Sequence, residues 1–188
     1  DWHAFGELDA NDRWPCAWAE AYVHRCHDDV GGWLRRRGIR FVPVPHWVER
    51  GQFQPGNSVP RFHIVWGTGH ELALRLGDQL RNHPRRTRLE IRFAHRVEGL
   101  LTSGGRVTGC HGVGEDDGQP FEFDAGAVIV AAGGFNGDIE RVRQHWHRDW
   151  GSPPPVILNG SHRYADGLLH DAVTAAGGRL THLDAMWN

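Results

Sequence analysis

The chain has 188 residues, 39% of them hydrophobic and 23% charged, with a formal charge of -2 and an isoelectric point near 6.7. These values suit one soluble globular domain, lack the positive field of a nucleic-acid binder, and leave no apolar run near the about 20 residues of a membrane span. All 21 residues of the Lys+Arg set are Arg, which excludes a P-loop lysine, a Schiff-base lysine and a lysine general base.

Asp1 opens the chain and the single Met is Met186, so the sequence reads as a fragment or a processed product. Cys16, Cys26 and Cys110 are an odd and sparse set for a disulfide framework, which points to a cytoplasmic location.

The first element is a helix over residues 11 to 37. Asn11 or Asp12 can cap it, Pro15 suits its first turn and Gly38 suits a left-handed stop. Trp14, Trp18, Ala21, Tyr22, Cys26, Val30, Trp33 and Leu34 recur at helical steps as one apolar stripe, and Gly31-Gly32 weakens the helix locally. A short strand, Ile39 to Val42, stops at Pro43 and Pro45. Residues 46 to 61 form a long loop, of a length that is often functional or disordered. An extended run at Phe62 to Trp66, the turn Gly67-Thr68-Gly69 and a helix over 69–82 follow, with Thr68 as its cap.

From Leu89 to Asp124 the pattern becomes short β-runs. Leu89, Ile91 and Phe93 alternate; Val97 to Leu101 lead to the Gly104-Gly105 turn; Val107 to Val113 and Phe121 to Phe123 complete an antiparallel meander. The continuous apolar run Ala127 to Ala132 predicts a strand covered on both faces, as in a parallel sheet. Helices over 137–146 and 167–176 are separated by a proline-rich loop at 152–155, and Arg179 to Leu183 read as a last strand.

Several motifs have two readings. Gly67-Thr68-Gly69 looks like a dinucleotide-binding loop, but position 72 is Leu where that fingerprint needs glycine, and a strand-to-helix turn explains it as well. His24, Cys26 and His27 are close together, yet they lack the second, well-spaced pair of a zinc site, so no metal is expected. Ser58 and Ser103 lie in no nucleophile elbow. The nine tryptophans read mainly as core or rim packing, with Trp66 and Trp187 as alternatives for a pocket wall. The turn Gly133-Gly134 after the apolar run lets a ligand approach the backbone without Cβ interference, although such turns are often purely structural.

Three segments, in order, carry a resemblance: WPCAWAEAYV with GIRFVPVPHWVERG, within Trp14 to Gly51; GNSVPRFHIVWGTG at Gly56 to Gly69; and AVIVAAGGFNGDIERVRQHW through YADGLLHDAVTAAGGRL to DAMWN. Together they resemble FAD-binding dehydrogenases of the fumarate reductase and succinate dehydrogenase flavoprotein superfamily, in the 3-ketosteroid Δ1-dehydrogenase-like branch. The resemblance implies an α/β fold. Residues 1–154 would be a partial Rossmann-like FAD-binding domain with a small antiparallel β insertion, and 155–188 the start of a substrate-capping region.

The resemblance further implies that the stretch around His95-Arg96-Val97 meets the adenine end of FAD through its backbone. Ala131, Ala132, Gly133 and Gly134 lie along the cofactor in this reading, and Asp166-Gly167 approach its ribityl and flavin region. Val97 has an alternative role in a strand core, and Asp166 as a helix cap. Arg61 and His63 are substrate-side candidates, Arg61 being equally a surface residue. The acid and base groups are expected beyond Asn188, and the strand and glycine motif that begin the family are expected before Asp1. The implied reaction is hydride transfer between flavin N5 and a carbon next to a carbonyl-activated carbon of a small-molecule substrate, steroid or dicarboxylate. The alternative is a non-catalytic remnant or binding module that does not hold FAD by itself.

Overall fold

A computed structural model describes His3, residues 8–42 and residues 64–184. The chain divides into two compact units, Asp1–Glu90 and Ile91–Asn188.

In the first unit, α1 (Arg13–Arg25) opens after Asp12 with Pro15 in its first turn, where a missing N–H breaks no helical bond. The helix widens into a π stretch over Cys26–Gly32 and regains α geometry in α2 (Trp33–Arg36). The Gly31-Gly32 pair closes the widened stretch, the weak point that its composition suggests. Beyond α2, the N–H groups of Gly38 and Ile39 return to the carbonyls of Arg35 and Leu34, at 3.0 and 3.2 Å, the paired bonds of a Schellman stop. Ile39, just past the stop, is 1% exposed.

β1 (Phe41–Val42) pairs antiparallel with β2 (Ile64–Val65), and the chain then turns into α3 (Thr68–Arg81). Gly67-Thr68-Gly69 is thus a strand-to-helix turn. The cap is Gly67, at φ 85°, and the helix runs from Thr68, itself at φ 64°, which corrects the expected Thr68 cap. The left-handed turn demands glycine, and a Cβ at position 67 would stand 2.7 Å from the Glu71 Cβ.

The second unit is organised around a three-stranded antiparallel meander, in spatial order β3 (His95–Ser103), β4 (Arg106–Gly114) and β5 (Pro120–Asp124). Ser103 faces Arg106 across a two-residue loop, and Gly104 and Gly105 supply the positive φ values, 56° and 74°, that such a hairpin requires. On this sheet Phe121 packs against His95 and Phe123, with ring centroids 5.0 and 4.9 Å away.

After β5 come α4 (Ile139–Gln144) and α5 (Leu168–Ala175). The Asp138 carboxylate accepts the N–H groups of Glu140 and Arg141, which fixes where α4 starts. Val142 on α4 is 1% exposed and Phe135 ahead of it 6%. α5 packs on β3.

Four expectations are corrected. Ala127 to Ala132 form no strand, and Ile129 is 92% exposed. An apolar run becomes a strand only where neighbours take its N–H and C=O groups, and every strand pairing among the described residues is antiparallel and lies elsewhere. Leu89, Ile91 and Phe93 alternate without pairing, and Arg179 to Leu183 are also without a ladder. Among the described residues the core part of the core-or-rim reading of the tryptophans fails: Trp14, Trp18, Trp33, Trp66 and Trp150 are exposed, Trp18 by 74%. The stripe of α1 is real in spacing, but no described element of its unit covers Trp14 or Trp18.

The described residues therefore combine helices with antiparallel sheets. No helix among them is long and apolar enough to cross a membrane.

Candidate functional site

A cavity of about 310 Å³ opens in the second unit, between β3 and the start of α5. Strand β3 contributes His95, Arg96 and Val97, the loop after the apolar run contributes Ala132, Gly133 and Gly134, and the segment from Tyr164 to His170 closes the other side. Six of the residues selected from the sequence, Val97, Ala132, Gly133, Gly134, Asp166 and Gly167, thus border one space. Ala131 is exposed and is not part of the lining. Arg61, His63, Ser58 and Trp187 lie outside the described residues.

The glycines of the site divide by purpose. Gly133 takes φ 79°, and a Cβ built on Gly133 or Gly134 would meet no atom within 4 Å. The backbone there is bare toward open space. The N–H groups of Ala132, Gly133 and Gly134 find no hydrogen-bond partner among the described residues. Unpaired donors on a glycine turn form a concave, positively polarised surface suited to an anion. Gly167, at φ 74°, is glycine for packing instead: a Cβ there would lie 2.8 Å from the Phe135 Cβ and 3.2 Å from the Arg141 Cδ.

Asp166 uses its two carboxylate oxygens differently. Its Oδ1 accepts the Leu168 N–H at 2.9 Å, which helps start α5. Its Oδ2 accepts from Arg96 Nη2, also at 2.9 Å, so the β3 side chain bridges to the opposite side of the cavity lining. Val97 pairs with Gly112 in the meander and also lines the cavity.

Two side chains escaped the sequence reading. Arg96 was valued for its backbone, whereas its guanidinium is the cavity's ion-pair partner. His170 was not singled out at all; its Nε2 lies 3.2 Å from the Gly133 carbonyl oxygen, and its ring stands edge-on to Phe135 at 5.9 Å. Helical spacing held the clue, since His170 falls in the first turn of α5, directly after Asp166-Gly167.

Behind the cavity, Arg141 of α4 grips Asp171 of α5 with both guanidinium nitrogens, Nη1 reaching Oδ1 at 2.9 Å and Nη2 meeting Oδ2. The hydrogen bond to Arg141 lowers the Asp171 carboxyl below its ordinary value against the opposing effect of burial. The same bond raises Arg141 above its ordinary value. The clamp ties the two helices that flank Phe135 and Gly167.

Among the described residues no group of three or more His, Cys, Asp and Glu side chains is arranged to hold a metal ion.

The FAD binding domain family model matches residues 2–188. A KsdD-like steroid dehydrogenase of Mycobacterium tuberculosis is 40% identical over 100% of the chain, and a KsdD-like steroid dehydrogenase of Mycolicibacterium smegmatis is 37% identical, also over 100% of the chain. The chain spans 36% and 37% of the lengths of these two relatives.

Proposed function

The chain belongs to the FAD binding domain family, whose cofactor is FAD, and from that membership we propose that the cavity between β3 and α5 holds part of FAD in an oxidoreductase. The observation that carries the proposal is the Ala132–Gly134 turn, with its Cβ positions open and its N–H groups unpaired among the described residues. Such a cradle suits a phosphate oxygen, and the N-terminus of α5 adds positive potential on the other side, while the Arg96 charge is shared with Asp166 and the Glu115 carboxylate also borders the cavity.

At about 310 Å³ the cavity is at the small end of ligand sites, roughly 300–1,000 Å³, so it suits a portion of the dinucleotide. Val97 is proposed for the adenine end and Asp166-Gly167 for the ribityl end, with the glycine turn along the diphosphate between them. Ala131 is kept in the proposal only as the lead-in to the turn. Residues 155–188 are proposed as the start of the capping region, and residues 1–154 as part of a Rossmann-like FAD-binding domain.

When bound, the isoalloxazine supplies two-electron redox chemistry at a carbon next to a carbonyl-activated carbon. The chain's own residues bind and orient: the glycine turn donates N–H groups, Arg96 balances anionic charge, and Asp166 offers carboxylate oxygens to hydroxyls. The relatives' description as steroid dehydrogenases favours a steroid over a dicarboxylate as the substrate class. Arg61 and His63 remain proposals for the substrate side.

The test is titration of the purified chain with FAD, followed by flavin fluorescence and thermal unfolding, beside Gly134→Val. Saturable binding that stabilises the wild type and is weakened at least 10-fold by Gly134→Val is the expected result. Equal binding by both proteins would remove the turn from the proposal.

A further inference from the structure

We propose that His170, itself part of the cavity lining, is a positioning residue for the cofactor that acts through the Gly133–Gly134 peptide. This rests on the reading of the cavity as an FAD site.

The inference begins with the bond between His170 and the turn. A carbonyl oxygen can only accept, so the contact from His170 Nε2 to Gly133 O at 3.2 Å requires the proton on Nε2. The ring is also held edge-on against Phe135, which is 6% exposed and is flanked on another side by His145 at 5.4 Å. His170 is therefore anchored by the first turn of α5 and by an aromatic neighbour, and it presents one donor to a turn that has few constraints of its own.

Gly133 needs such an anchor. With no Cβ and φ 79°, it has access to more backbone conformations than any other residue type, and the N–H groups on either side of it make no bond to the described residues. The peptide between Gly133 and Gly134 is planar and trans, so its C=O and N–H point in opposite directions. Holding the carbonyl on His170 sets the Gly134 N–H antiparallel to it. One side-chain hydrogen bond thereby pre-orients the donor proposed to meet the cofactor's anionic oxygen, and spares the ordering cost at the moment of binding.

The test compares His170→Gln with His170→Leu in the full chain. Gln carries an N–H donor at a reach similar to Nε2, whereas Leu fills space without one. Both lose the aromatic contact with Phe135, so a purely structural role lowers the thermal midpoint in both and leaves their FAD affinities alike. A positioning role separates them: His170→Leu weakens FAD binding on the order of 10-fold, and His170→Gln restores it to within about 3-fold of wild type, as expected for one hydrogen bond. Equal affinities for the two variants would overturn the inference while leaving the cavity reading intact. Absence of FAD binding by the wild type, or unchanged binding by Gly134→Val, would overturn both.

Discussion

Arg96 Nη2 lies 2.9 Å from Asp166 Oδ2, an ion pair that spans 70 positions of sequence and joins β3 to the residue just ahead of Gly167 and α5. Both side chains line the cavity and both remain partly exposed. The Asp166 carboxylate therefore serves a neighbouring cation and a helix N–H at once, and each oxygen keeps acceptor capacity for a ligand hydroxyl.

Removing its charge separates these roles. Asp166→Asn keeps an oxygen for the Leu168 N–H but loses the ion pair, and a partly exposed pair of this kind contributes about 1 kcal/mol or less to folding. The expected outcome is a small drop in stability by chemical denaturation and a larger loss of FAD affinity, on the order of 10-fold, because a hydrogen bond to a charged group is worth roughly 1.5–3 kcal/mol. A double-mutant cycle with Arg96→Ala, measured without FAD, should give a coupling below about 1 kcal/mol.

The Arg141–Asp171 clamp makes a prediction about acid stability. Asp171 is lowered from 3.8 by its bond to Arg141, so the unfolded chain takes up this proton at higher pH than the folded one. Its contribution is complete above the unfolded value, near pH 4, and is lost as pH falls through the lowered folded value. Arg141 is raised above its ordinary value by the same bond, so its side of the pair holds throughout the ordinary range and is lost only in strong alkali. Asp171→Asn should flatten the acid limb of a denaturation series between about pH 2 and 5, with a loss near neutrality of about 1 kcal/mol or less, since the carboxylate is half-exposed.

Gly167→Ala should affect folding first. Its φ of 74° imposes a left-handed strain of roughly 1–2 kcal/mol on any residue with a Cβ. The added carbon would also sit 2.8 Å from the Phe135 Cβ, so Phe135 must shift. We expect a fall of several degrees in the thermal midpoint of the chain without FAD. Gly134→Val should leave that midpoint within about 2 °C, because the same construction at Gly134 meets open space. Reversal of this order would mean that the cavity glycines have been assigned the wrong roles.

Local rules made much of the chain readable. The helix start at Asp12, the Gly38 stop, the Gly104-Gly105 hairpin and the meander around it depend on neighbours in sequence, and all were legible from residue type and spacing. Strand Ala127 to Ala132 was not: apolar character records that a segment prefers burial, and nothing in it specifies which strand will take its backbone bonds. The exposed Trp14 and Trp18 fail for the same reason, because a helical stripe names a face without naming what covers it.

The sequence by itself determined the motifs of the site, the Ala-Ala-Gly-Gly turn and the Asp166-Gly167 pair, since glycine and carboxylate chemistry are properties of the residues alone. Only the tertiary structure decided that they share one cavity, that Arg96 reaches Asp166, and that His170 holds Gly133. The His170 contact crosses 37 positions and the Arg96 contact 70, and no local periodicity encodes such a distance. They arise because α5 packs on β3, and it is that packing which brings a histidine, an arginine and a bare glycine turn to the same few ångströms of space.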